Sequence, residues 1–150
     1  MRSALLLTAL VLVACARGDV AEDSAMAAAD DESAMLTAAD LSGMWNGMTM
    51  PMDGDSVTAR WSFHQADATM GHFMLEGSPD TVIYHSTFDG DSVVAVSEPY
   101  SSPDMPGTEL TYRSVGRMEN GMLQGTVAIR LASNPDSVVE RARWQASRAP

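Results

Sequence analysis

The sequence predicts an all-β domain of about eight antiparallel strands arranged as an up-and-down meander. Three observations predict it. Apolar and polar residues alternate with period two in run after run, the runs are divided by Asp-Gly, Asn-Gly and Pro-Asp turn chemistry, and no stretch beyond residue 40 keeps helical apolar spacing over a useful length.

The elements follow in order. A first strand over 43–50 carries Gly43, Trp45 and a methionine series. The second, over 55–64, sets Val57, Ala59, Trp61 and Phe63 against Ser56, Thr58, Arg60, Ser62 and His64. A third covers 70–76, and the fourth and fifth, over 81–88 and 92–98, are more continuously apolar. The sixth, over 108–118, alternates Leu110 and Tyr112 with Glu109, Thr111 and Arg113. The seventh, over 122–131, sets Leu123, Val127, Ile129 and Leu131 against Gln124, Thr126 and Arg130, and the eighth, over 138–147, sets Ala142, Trp144 and Ala146 against Arg141, Arg143 and Gln145. A turn-then-strand repeat recurs at Asp53-Gly54-Asp55, Ser78-Pro79-Asp80, Asp89-Gly90-Asp91 and Asn134-Pro135-Asp136, with Asn120-Gly121 as a further tight turn. The Asp-Gly-Asp triplets lack the Gly and Glu that an EF-hand loop places at its sixth and twelfth positions, so they are turns and not calcium loops. Eight strands is also the number at which a meander closes into a barrel whose interior is filled or holds one small ligand.

Ahead of this domain, Met1-Arg2 and the apolar stretch Ala4 to Ala14 are too short to span a membrane and form a targeting segment over 1–14. Leu12-Val13-Ala14-Cys15 resembles the lipobox of bacterial lipoproteins. The resemblance implies a lipid-bearing Cys15, palmitate-type acylation and attachment to the cell-envelope membrane. With Ala16 and not Asp at the second position, it favours the outer membrane, at its periplasmic or surface face. Residues 15–40 then form an acidic, Ala-rich tether, disordered or partly helical, and the β domain occupies 41–150. Cys15 is the sole cysteine, so the folded part has no disulfide, thiolate nucleophile or zinc–cysteine cluster. A net charge of −11 with no lysine disfavours nucleic acid and an anionic lipid surface as partners, leaving the acyl chains as the expected membrane contact.

Gly43-Met44-Trp45, at the head of the first strand, resembles the Gly-x-Trp opening of the calycin barrels: lipocalins, fatty-acid-binding proteins and avidins. The resemblance implies a small barrel whose base is plugged by Trp45 and covered by an arginine from the last strand, for which Arg143 and Arg148 are the candidates. It also implies a non-catalytic protein that binds a small apolar ligand or an envelope protein. The domain and its ending, Ser147-Arg148-Ala149-Pro150, further resemble bacterial lipoproteins, which implies no activity.

The twelve methionines raise a second possibility. Met48, Met50 and Met52 could present thioethers to Cu(I) or Ag(I), with an imidazole such as His72 completing the set. Trp45-Asn46-Gly47-Met48-Thr49-Met50 resembles the Trp-x-x-Met-Thr-Met stretch of a small periplasmic copper and silver chaperone, although that family's upstream histidine is replaced here by Thr37. Methionine also fills irregular apolar space without binding anything. A flat strand puts Trp45 opposite Met48 and Met50, so joint ligation requires a bulge near Gly47. Beyond that possibility no cofactor is expected. No Gly-x-Ser-x-Gly, His-Glu-x-x-His or phosphate-cradling loop is present, and pairs such as Ser62 with Asp67 or Glu76 with Glu98 have no spacing that singles them out, so catalysis is not expected.

Overall fold

The computed structural model describes residues 35–150; the leader, Cys15 and the tether up to residue 34 lie outside the described residues. Nine strands follow a short 3-10 turn at Ala38–Leu41: β1 Met44–Pro51, β2 Ala59–Gln65, β3 Met70–Leu75, β4 Thr81–Asp89, β5 Ser92–Ser97, β6 Tyr100–Ser101, β7 Glu109–Glu119, β8 Met122–Leu131 and β9 Asn134–Arg148. All pairings are antiparallel, and β5 pairs with β7 while β1 pairs with β9, so eight strands close on themselves. β6 is a two-residue ribbon on the edge of β7. Following the registers once around returns to the starting strand about ten residues along it, a stagger that tilts the strands by roughly 35–45° and keeps the barrel narrow.

Alternation puts one side chain of each successive pair inside. Trp45, Phe63, Val82, Tyr84, Val93, Tyr112, Leu123 and Trp144 form the buried core, with Trp61, Phe73 and Ile129 packed against it. So narrow a barrel cannot stack large side chains on every strand, and glycines make the room. A Cβ on Gly47 would stand 2.3 Å from the Trp61 ring, one on Gly71 would stand 2.2 Å from Tyr84, and one on Gly116 would stand 2.5 Å from Trp144. Each large ring thus takes the space that a Cβ would occupy, and Trp61 and Trp144 are in edge contact at 5.8 Å.

The structure departs from the sequence-based strands in four places. β2 begins at Ala59 and not at residue 55, leaving Val57 exposed, because Asp53 to Thr58 forms a loop on which Arg143 makes hydrogen bonds to Gly54 and Asp55. β9 begins at Asn134 and not at residue 138: the turn falls on Ala132-Ser133, and register shifts beside Ile129 and Arg130 let Asn134-Pro135 run on within the strand. β6 was not expected. The fold also starts earlier than residue 41, since Leu36 is buried and its N–H donates to the Gly90 carbonyl at 2.8 Å.

Gly125 lies opposite Gly116 on β7, and a Cβ there would meet the Val115 carbonyl oxygen at 1.9 Å and Gly116 Cα at 2.7 Å. Both obstacles are backbone. Gly125→Ala is expected to lower stability by about 2–4 kcal/mol in urea unfolding, and a loss below about 0.5 kcal/mol would show that the strands separate freely at this point.

Candidate ligand cavity

One end of the barrel is sealed. Gly43, at φ +91°, turns the chain from the 3-10 segment into β1, and Trp45 follows with its side chain directed inward, 1% exposed and stacked on Phe63 at 5.8 Å. Its indole N–H donates to the Leu41 carbonyl at 3.1 Å. Arg148, the last residue of β9, lays its guanidinium 4.7 Å from the Trp45 ring centre and donates to the carbonyls of Ser42 and Asp40. Thr37 fixes the preceding turn by donating its hydroxyl and its N–H to the Asp40 carboxylate at 2.7 and 2.9 Å, which holds that carboxyl below its usual range. Arg143, the other candidate, takes no part: it lies opposite Met50 and reaches the β1–β2 loop at the far end.

Above this floor the interior is open. A cavity of about 330 Å³ runs from Leu41 to Asp104 and Glu140 at the other end, where its lining residues reach solvent. Its wall is apolar and largely aromatic, built by Trp61, Phe73, Tyr112 and Trp144 with Val127 and Ile129. The aromatic contacts are tilted or edge-on: Phe73 with Tyr112 at 5.5 Å, and Tyr112 with Tyr100 at 6.2 Å.

Several polar groups in this wall are committed to the protein. Trp61 donates its N–H to Thr49 Oγ1 at 2.9 Å. Tyr84 donates its hydroxyl to Gln65 Oε1 at 3.0 Å, and the Gln65 amide in turn donates to Ser86 Oγ at 2.7 Å and to the Asp67 carbonyl at 2.8 Å. Trp144 differs from the other two tryptophans. Among the described residues its Nε1 is the only buried side-chain nitrogen or oxygen without a hydrogen-bond partner, and an unmet buried donor of this kind costs about 1–3 kcal/mol.

The predicted soft-metal set does not assemble. Met48 lies opposite Arg60, and His72 lies opposite His64, two strands away and four positions along. Strand spacing of ~4.8 Å and a rise of ~3.4 Å per residue then put Met48 and His72 roughly 16 Å apart. Met50 and Met52 are farther still, and β1 shows no register shift at Gly47 that would turn Trp45 toward them. The reason is the alternation itself: the indole plugs the barrel while the thioethers face outward. Ser62 stands in register with Asn46 and Met74 and, among the described residues, makes no hydrogen bond to Asp67, whose carboxylate accepts from the N–H groups of Thr69 and Met70. Among the described residues no three His, Cys, Asp or Glu side chains are grouped to hold a metal ion. Compared with protein-family models, curated proteins and solved structures, the chain matches none.

Arg148→Ala is expected to cost about 1–2 kcal/mol in urea unfolding, from the lost ring contact and two carbonyl bonds, and Arg143→Ala less than about 1 kcal/mol. The reverse ranking would assign the covering role to Arg143. All three tyrosines of the chain line the cavity. Burial raises Tyr84, burial and Glu140 raise Tyr100 to about 12, and burial with the neighbouring phenols raises Tyr112 well above the usual tyrosine value. Because these folded values lie above the ordinary tyrosine value near 10, the neutral phenols contribute fully below pH ~10 and the fold loses stability as pH rises above it. Absorbance at 295 nm should therefore stay flat through pH ~11 and then rise together with unfolding. A free titration near pH 10 with the fold intact would show exposed phenols.

Proposed function

We propose that the protein is a bacterial envelope lipoprotein, anchored through Cys15, whose calycin-like barrel binds one small, flat and largely apolar molecule without transforming it. The observation that carries this reading is the unfilled, aromatic-walled cavity above the Trp45 floor. Protein interiors of this size normally pack to crystal-like density, and a wall of rings around empty space loses dispersion contacts that a flat occupant would restore. Its volume is at the lower end of the about 300–1,000 Å³ of small-molecule pockets, which suits one or two rings better than a long acyl chain.

The chemistry of the wall narrows the ligand further. The Trp61 and Tyr84 donors are engaged, whereas among the described residues the hydroxyls of Tyr100 and Tyr112 in the same wall have no protein partner, so an occupant carrying one acceptor oxygen would meet a phenol donor. The mouth carries Asp104 and Glu140, which disfavours entry of an anion. A neutral carbonyl or ether compound fits these constraints, and the calycin resemblance of Gly43-x-Trp45 with Arg148 agrees with a binding role.

The test uses 2-acetylnaphthalene and its apolar counterpart 2-ethylnaphthalene, each titrated into the full chain and followed by tryptophan fluorescence. Both should bind at micromolar concentration, with the ketone favoured by about tenfold, the ~1.4 kcal/mol of one net hydrogen bond. Tyr100→Phe with Tyr112→Phe should erase that preference and keep binding. Absence of binding by either compound would overturn the carrier reading, and equal binding to the unaltered chain would remove the acceptor requirement alone.

A further inference from the structure

The barrel brings together on its outer wall residues that lie far apart in the sequence. All three histidines of the chain occupy the outer faces of three neighbouring strands: His64 on β2, His72 on β3 and His85 on β4. Their orientation follows from alternation, since His64 stands between the buried Phe63 and Gln65, and His85 between the buried Tyr84 and Ser86. His64 and His72 are direct cross-strand partners, and Met44 on β1 is the direct partner of His64 on its other side. Met44, His64 and His72 therefore form one row across three strands, all at least partly exposed.

We propose that this row is a site for a soft monovalent ion, Cu(I) or Ag(I), held by the imidazoles of His64 and His72 with the Met44 thioether as third ligand. Direct partners in an antiparallel pair hold their Cβ atoms about 4.5–5.5 Å apart, a separation at which two imidazoles can converge on one ion. The adjoining thioether selects a soft ion, and no carboxylate lies opposite any of the three to favour Ca²⁺ or Mg²⁺. His85 stands apart from the row, opposite Met70 and 3.4 Å from Glu98. The site shares no residue with the interior cavity, so it is independent of the ligand reading. It also differs from the Met48, Met50 and Met52 series, whose partners across the strands include Arg60 and Arg143.

The experiment titrates silver nitrate, in chloride-free buffer, into the full chain carrying Cys15→Ser so that the lone thiol cannot compete. Uptake of one Ag(I) per chain at micromolar concentration is expected. His64→Gln with His72→Gln should weaken binding by at least tenfold, and Met44→Leu should weaken Ag(I) severalfold while leaving the weaker Zn(II) uptake unchanged. Met48→Leu with Met50→Leu should have no effect. These side chains face outward, so far-UV circular dichroism should be the same in every variant. Failure of the Cys15→Ser chain to bind Ag(I), retention of binding by the double histidine variant, or dependence on Met48 and Met50 in place of Met44 would each overturn the proposal.

Discussion

The pairing of the first strand with the last is the constraint on which the rest of this barrel depends. β1 hydrogen-bonds to β9 along seven residue pairs, from Trp45 with Arg148 to Pro51 with Ala142. The same two strands supply the plug, since the indole comes from one and the guanidinium from the other. Without that seam the sheet would have two open edges and the core rings would face water. With it, the cavity acquires a floor, and the segment ahead of β1 is tied down through the carbonyls that Arg148 reaches. The contact joins residues about a hundred positions apart, so forming it carries a high entropic cost of loop closure.

A second constraint keeps the interior open. The stagger of the sheet makes the barrel narrow, yet three tryptophans and three tyrosines are directed inward. Glycines resolve the conflict by giving the Trp61, Tyr84 and Trp144 rings the space that a Cβ would take, while Phe73 and Tyr112 meet across the interior. The wall so built encloses a cavity of about 330 Å³ that these rings line without filling.

Strand positions were largely legible because alternation is a local signal, and Val82 to Phe88 or Leu110 to Tyr112 carry it within a few residues. Asn120-Gly121 and Asp89-Gly90 were legible as turns for the same reason, their positive φ angles being a local demand. What escaped depends on partners distant in sequence. Val57 continues the alternation of β2 but has no partner strand beside it, and Asn134-Pro135 looks like a turn but is accommodated by shifts in register with β8. Leu36 sits in an Ala-rich acidic stretch that gives no sign of burial, and only the Gly90 hairpin makes a place for it. Of the site residues, Gly43 and Trp45 carry a short recognisable pattern, whereas the choice of Arg148 over Arg143 needs the length of β9. The cavity itself had no signature, because it arises from Gly47 opposite Trp61 and from Trp144 reaching over Gly125 to Gly116, two strands away.

Both ends of the folded region emerge beside the plug, with Leu36 near the Gly90 hairpin and Ala149 bonded to Met44. The mouth, at Asp104 and Glu140, lies at the opposite pole. The ends of the described domain and its opening are therefore at opposite poles, so a change of shape at the mouth leaves the contact between Arg148 and Trp45 untouched.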